Sequence, residues 1–403
     1  MRKLTFYIFF LISSNLSNSQ WVQIATIGNY DLRGVKFFNE HTGIVVGSGG
    51  IWRSTNSGVN WTQILAGENL NGLSFPDANT GYAVGDSGKI YKTINGGLNW
   101  EQQGIGVTTK KLNSVSFPNN IWGWAVGEDG LILHTYNAGS NFVVQNSGVG
   151  YNINYIQMID DHTGYICGSV NEEIFGFTVN IGINWLWTFY MGGNILNALS
   201  YIPVSGGAVL AVGSNGRIRK TTNNGINWVV ATSPVNVSLN NVVFLDGSTG
   251  YIAGNSGYIL KTTNSGLNWT VDANVTTSNF KNLSFINQTT AWVVGTGGVV
   301  IRTGIPVGIS NSENEMPQDF ELKNYPNPFN PTTIISFSLH ENSFVRLIIY
   351  DVIGNEIQTL VSGELKKGYY EILFDGSSLA SGLYYCRIET RSFKKTIKMV
   401  LTK

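Results

Sequence analysis

Asp86, Glu128, Asp129, Glu172 and Glu173 all fall between one apolar run and the next, in three successive stretches of the chain. Carboxylates converging on one face can hold a cation, receive a basic peptide or supply the acid and base of glycoside hydrolysis. Lys110 and Lys111 fall on the same side of the pattern and would neutralise them, and a solvated surface is the simpler reading. Arg217, Arg219 and Lys220 form the local basic cluster. Arg217 and Arg219 are two apart, so they share a strand face, and they read as solvated edge residues. His41, His134 and His162 lack ligand spacing, and His41 and His162 repeat one His-Thr-Gly turn, so no metal is expected. Trp187, Phe189 and Tyr190 form the candidate aromatic platform for a sugar. No Gly-x-Ser-x-Gly, phosphate loop or Cys-x-x-Cys occurs, and no cofactor is expected.

The elements that must position these residues are short strands. Charged residues are 12% of the 403, the net charge is zero and Gly numbers 48. Low charge with many Gly, Asn, Thr and aromatic residues favours strands and tight turns. A neutral chain does not point to a nucleic-acid partner. Cys167 and Cys386 fall in different regions, so no disulfide is expected, and Cys167 reads as a small buried hydrophobe.

An aromatic residue recurs with a Gly-rich turn before it. Trp61, Trp100, Phe142, Trp185, Trp228 and Trp269 are spaced by 39, 42, 43, 43 and 41 residues. That period fits one four-stranded propeller blade. The strand that opens each unit starts at Leu32, Leu70, Leu112, Ile153, Leu196, Leu239 and Phe280, which makes seven units. The seventh lacks a Trp-bearing strand of its own. A strand around Trp21 precedes the first unit, so the N-terminal strand is expected to close the ring and leave no unpaired edge. The fold expected is all-β: a seven-bladed β-propeller over 20–308, then a small immunoglobulin-like β-sandwich.

Each turn has the form Ser/Thr-x-Asn-x-Gly-x-x-aromatic, with its asparagine at Asn56, Asn95, Asn137, Asn180, Asn223 or Asn264. Asn can bond nearby backbone amides and Gly supplies a positive φ, so the role expected is structural. These turns resemble the Asp-boxes of the bacterial neuraminidase repeat, with Asn in the Asp place. The whole unit resembles the propeller of photosystem II stability and assembly factors. The resemblance implies an accessory binding role rather than catalysis, with an unidentified surface protein or glycan as ligand. An Asp-box glycoside hydrolase or lyase acting on extracellular glycans is the alternative.

Two address segments flank the repeats. Residues 1–19 read as a signal peptide: Arg2 and Lys3, an apolar run from Leu4 to Ile12, then small residues before Gln20. No other apolar segment reaches transmembrane length, and a monomer is expected. A polar linker covers 309–317. The segment 318–403 holds Tyr325-Pro326-Asn327-Pro328-Phe329-Asn330-Pro331, Tyr350-Asp351-x-x-Gly354, Leu379-Ala380-Ser381-Gly382-x-Tyr384 and a basic end from Lys398. It resembles the type A sorting domain of the type IX secretion system. That resemblance implies export by the type IX machinery, cleavage by its sorting protease and display at the cell surface or release.

Overall fold

The computed structural model describes residues 21–169, 172–204, 206–303, 322–325, 327–365, 367–376 and 379–402. The segments 1–19 and 309–317 and residue Pro326 lie outside the described residues. The described chain is all-β, with its repeats folded into a seven-bladed propeller.

Five blades are separate four-stranded antiparallel sheets, and the first two blades share one six-stranded sheet. They merge because the strand Thr62–Ser74 serves as the outer strand of one and the inner strand of the next. The strand Val22–Thr26 is the outer strand of the seventh blade, antiparallel to Val299–Arg302 with Val22 opposite Arg302. Trp21, just before it, is buried, packs edge-on against Tyr251 and Phe285, and donates through Nε1 to Asp272 Oδ2 at 2.7 Å.

The cores lie between blades. The opening residues Leu32, Leu70, Leu112, Ile153, Leu196, Leu239 and Phe280 are all fully buried. Rings from neighbouring blades stack face to face, Phe37 on Trp292 at 3.6 Å and Tyr82 on Phe117 at 3.5 Å. Cys167 is fully buried between blades as a free thiol.

The inner strands depart from plain alternation. The pairing register shifts between Leu70 and Gly72, Leu112 and Ser114, Ile153 and Tyr155, Leu196 and Ala198, Leu239 and Asn241, and Phe280 and Asn282. A bulge leaves its extra residue unpaired and re-aims that side chain. The skipped residues are Asn71, Asn113, Asn154, Asn197, Asn240 and Lys281, and all of them line one central cavity. The partner strand ends in a glycine because the preceding loop crosses it closely. A Cβ on Gly127 would sit 2.0 Å from the Lys111 carbonyl oxygen.

The C-terminal unit is a sandwich of two sheets. One holds Leu322–Tyr325, Thr332–Leu339 and Gly368–Asp375; the other holds Glu356–Leu365, Ser343–Tyr350, Gly382–Glu389 and Lys394–Leu401. Its core includes Phe329, Phe337, Leu347, Phe374, Cys386 and Met399. The Tyr384 hydroxyl donates to the Ala380 carbonyl at 2.8 Å, a tie between strand and preceding corner of the kind found in immunoglobulin-like sandwiches.

Candidate binding face of the propeller

The six Asn turns share one bonding scheme. In the second blade the Thr93 hydroxyl donates to Asn95 Oδ1 at 3.0 Å and accepts the Gly97 N–H at 3.0 Å. Asn95 Oδ1 also accepts the Asn99 N–H at 3.0 Å. The same pair of amide bonds recurs around Asn56, Asn137, Asn180, Asn223 and Asn264. Two consecutive residues adopt positive φ: the glycine, and the residue before it, which is Ser57, Gly96, Ala138, Ile181, Asn224 or Ser265. Each asparagine oxygen is thus spent within its own turn, on one hydroxyl and one backbone amide.

The nominated carboxylates separate into surface and buried groups. Asp86 opens the tight turn Asp86–Gly88; its Oδ1 accepts from Asn71 Nδ2 at 3.0 Å and lies 3.8 Å from Lys111 Nζ. Glu128 opens the next such turn, and its carboxylate accepts the Lys111 N–H at 3.4 Å. Asp129, in left-handed backbone at φ 53°, lies 3.3 Å from Lys110 Nζ. Both lysines thus reach the acids the sequence placed beside them. Glu172 is half-buried at the start of a strand, opposite Met191.

Glu173 requires a correction. It is not in a turn but inside the strand Glu172–Thr178, opposite Tyr190 and fully buried. One carboxylate oxygen takes Arg217 Nε at 2.8 Å, and the other is bonded to Arg219 Nε. Asn194 Nδ2 donates to the same group at 3.2 Å. The two arginines are therefore not solvated edge residues. Arg219 is buried, with its guanidinium 4.2 Å from the Tyr190 ring centre. The strand extends further than its composition suggested, which turns Glu173 toward the fifth blade.

The aromatic platform is also partly consumed. Tyr190 takes the Arg219 cation and accepts the Trp228 N–H at 2.9 Å, and Trp187 Nε1 donates to the Ser147 carbonyl at 2.7 Å. Phe189 stays exposed, edge-on to Tyr151.

Asp160, Asp161 and His162 form the cluster of metal-capable side chains among the described residues. Asp160 Oδ1 accepts the N–H groups of His162 and Thr163 at 2.8 and 2.6 Å. Asp77 and Asp246 make the same pair of bonds in equivalent turns, so the acid is a turn former. His134 is buried among Trp122, Trp124 and Tyr136, and burial pushes its pKa down to about 4.

The feature that sequence reading missed is a ring around the central axis. Asn71, Asn113, Asn154 and Asn197 each donate through Nδ2 to the backbone carbonyl that opens the next blade, at 2.9, 3.0, 2.7 and 2.8 Å. Asn240 does the same to Phe280. The signal was available: an Asn follows the opening residue in five consecutive units. The first and seventh blades carry Arg33 and Lys281 at that position. Together these seven residues line a cavity of about 240 Å³.

In the C-terminal unit Asn327 and Phe329 grip the last strand. Asn327 donates to the Lys398 carbonyl at 2.8 Å and accepts the Val400 N–H at 2.9 Å. Phe329 is buried, and its backbone bonds Val400 and Thr402 at 2.9 Å each. Asp351 accepts the N–H groups of Ile353 and Asn355 at 3.0 and 2.8 Å, and Gly354 takes a φ of +91° in the same turn. These bonds hold the Asp351 carboxyl below its usual range against the opposing effect of desolvation. The Pro331 carbonyl accepts the Gly376 N–H at 2.9 Å. Pro328, Asn330 and Gly382 flank these contacts at the surface, and the Lys398 side chain is exposed.

Two family models match the chain. Residues 63–147 and 196–304 match the photosynthesis system II assembly factor YCF48 family, and 323–402 match the secretion system C-terminal sorting domain. The chain joins a YCF48-like propeller to a secretion sorting domain. Among solved structures, YCF48 bound to D1 peptide superimposes with a TM-score of 0.60 at 19% identity, covering 72% of this chain and 96% of that one. YCF48 from Cyanidioschyzon merolae gives 0.58 at 17%, covering 70% and 98%. U3-55K gives 0.58 at 7%, also covering 70% and 98%, so the shared property is the fold. No curated protein matches in sequence. The YCF48-like propeller therefore travels with an export tag. The sorting domain indicates transport to the cell surface or the extracellular space and contact with the secretion machinery. Among the described residues no helix is long and apolar enough to cross a membrane.

Proposed function

We propose that this protein is a non-catalytic binding or scaffold propeller, exported by the type IX system and displayed on or released from the cell. The signal peptide at 1–19 and a cleavable linker at 309–317 complete the route, with the sorting protease as a transient partner. The observation that carries the non-catalytic reading is the state of the carboxylates. Asp86 and Asp129 face lysines and Glu173 sits between two arginines. A glycosidase needs one carboxyl held protonated and a second free to attack or to activate water. The propeller of YCF48 bound to D1 peptide supports a binding role for this shape.

The test is a glycan array and a hydrolysis assay on the whole secreted protein, together with surface proteomics of the producing cell. The expected outcome is retention of a ligand without turnover. Release of reducing sugar that Glu128→Gln or Glu172→Gln abolishes would instead establish the hydrolase alternative.

A further inference from the structure

The central ring breaks its own rule at one seam, and the break has a polarity. Five blades place an asparagine at the mouth of the channel, and the two blades that meet where the ring closes place Lys281 and Arg33 there. An asparagine at 281 would bond the opening carbonyl of the first blade, as its five counterparts do in theirs. The lysine makes no such bond. Among the described residues it has neither a hydrogen-bond nor an ion-pair partner, although it is half-buried. Burial, with Arg33 nearby, holds its ammonium below the usual lysine range, and Asp31 acts in the opposite sense. Arg33 donates to Asn71 Oδ1 at 2.7 Å and approaches Asp31 no closer than 4.0 Å. Asp86, the other acid beside the ring, is already bonded to Asn71 and faces Lys111.

The far side of the mouth offers acceptors. Asn113, Asn154 and Asn197 spend an Nδ2–H on the next blade, and their Oδ1 atoms accept no hydrogen bond among the described residues. In a seven-membered ring the third, fourth and fifth blades stand opposite the seam between the seventh and the first. The cavity therefore presents cations on one side and bare amide oxygens on the other. These groups are half-buried and face the cavity, where a ligand's polar atoms can take the place of water.

We infer that the channel mouth is a binding site for an acidic sugar, with a carboxylate on Lys281 and Arg33 and hydroxyls on the asparagine arc. A carboxylate matches the planar guanidinium fork and the ammonium. Hydroxyl donors match Asn113, Asn154 and Asn197. This inference rests on the binding reading proposed above and deepens it.

The test is calorimetric titration of the whole secreted protein with glucuronate, glucose and acetate, for the wild type and for Lys281→Asn. That substitution installs the residue of the neighbouring blades, so the fold is expected to stand, and a thermal midpoint no lower than wild type checks it. Glucuronate should bind at least tenfold more tightly than either glucose or acetate, and Lys281→Asn should weaken it at least tenfold. Equal binding of glucuronate and glucose would overturn the carboxylate assignment, and equal binding of glucuronate and acetate would overturn the asparagine arc. An unchanged glucuronate affinity in a folded Lys281→Asn variant would overturn the site. If that variant keeps every array glycan the wild type holds, the mouth is not the site and the binding reading survives. A wild type that holds no ligand anywhere overturns both.

Discussion

Glu173 carries its charge inside the propeller because Arg217 and Arg219 meet it there. Removing one member of a buried ion cluster leaves the others desolvated and unpaired. Glu173→Gln should therefore cost about 3 kcal/mol of unfolding free energy, measured by urea titration. A change under about 0.5 kcal/mol would mean that water reaches the arginines. His134 is the second residue with a definite signature. Its folded pKa of about 4 lies below the ordinary 6.5, so the unfolded chain takes up the proton first as pH falls. Its contribution to stability is present above about pH 6.5 and is lost progressively toward pH 4. His134→Phe should flatten the pH dependence of the melting temperature across that window relative to wild type. Parallel curves for the two proteins would refute this.

Among the elements, the Asn turns demand two left-handed residues in succession, and the third blade meets the first of these with Ala138 at φ 57°. A Cβ in that region costs about 1 kcal/mol. Ala138→Gly should stabilise the protein by up to that amount, because the Ala138 carbonyl that accepts from Tyr82 and Lys92 is untouched. A loss of stability would show that chain entropy outweighs the strain. The strand Val22–Thr26 makes the opposite kind of prediction. It supplies the outer edge of the seventh blade, and Trp21 fills a pocket between that blade and the sixth. Trp21→Ala should cost about 3–5 kcal/mol, and deleting residues 21–26 should cost more by exposing Val299–Arg302 as an unpaired edge. An unchanged unfolding midpoint in the deletion would show that the strand is not needed for closure.

For the whole molecule, the C-terminal strand is where we predict that export is decided. Met399 and Leu401 are buried in the sandwich core, and Asn327 and Phe329 fasten the backbone around them. Deleting residues 398–403 removes those core residues and the acceptors of the motif at once. The truncated protein should accumulate in the periplasm of a type IX-competent host with its tag uncleaved, while the full chain appears outside the cell without it. Fractionation and immunoblotting decide this, and normal surface appearance of the truncated chain would show that the last strand carries no sorting information.

Periodicity was enough to read the blade count and the orphan strand at Trp21, because each is a one-dimensional property of the chain. The Asn turns were legible for the same reason: the bonds of their Ser/Thr hydroxyl and Asn oxygen reach no more than four residues along the chain. The sandwich is less legible, since Leu322–Tyr325 and Glu356–Leu365 carry weak alternation. Only the tertiary structure decided the chemistry. Glu173 and Arg219 are 46 positions apart, and nothing local to either announces that they meet. The asparagines at the channel mouth face inward because a bulge in each inner strand shifts the alternation by one residue, and a bulge depends on the neighbouring strand as much as on its own sequence. The seam of Arg33 and Lys281 joins positions near opposite ends of the propeller sequence. Ring closure alone makes them neighbours.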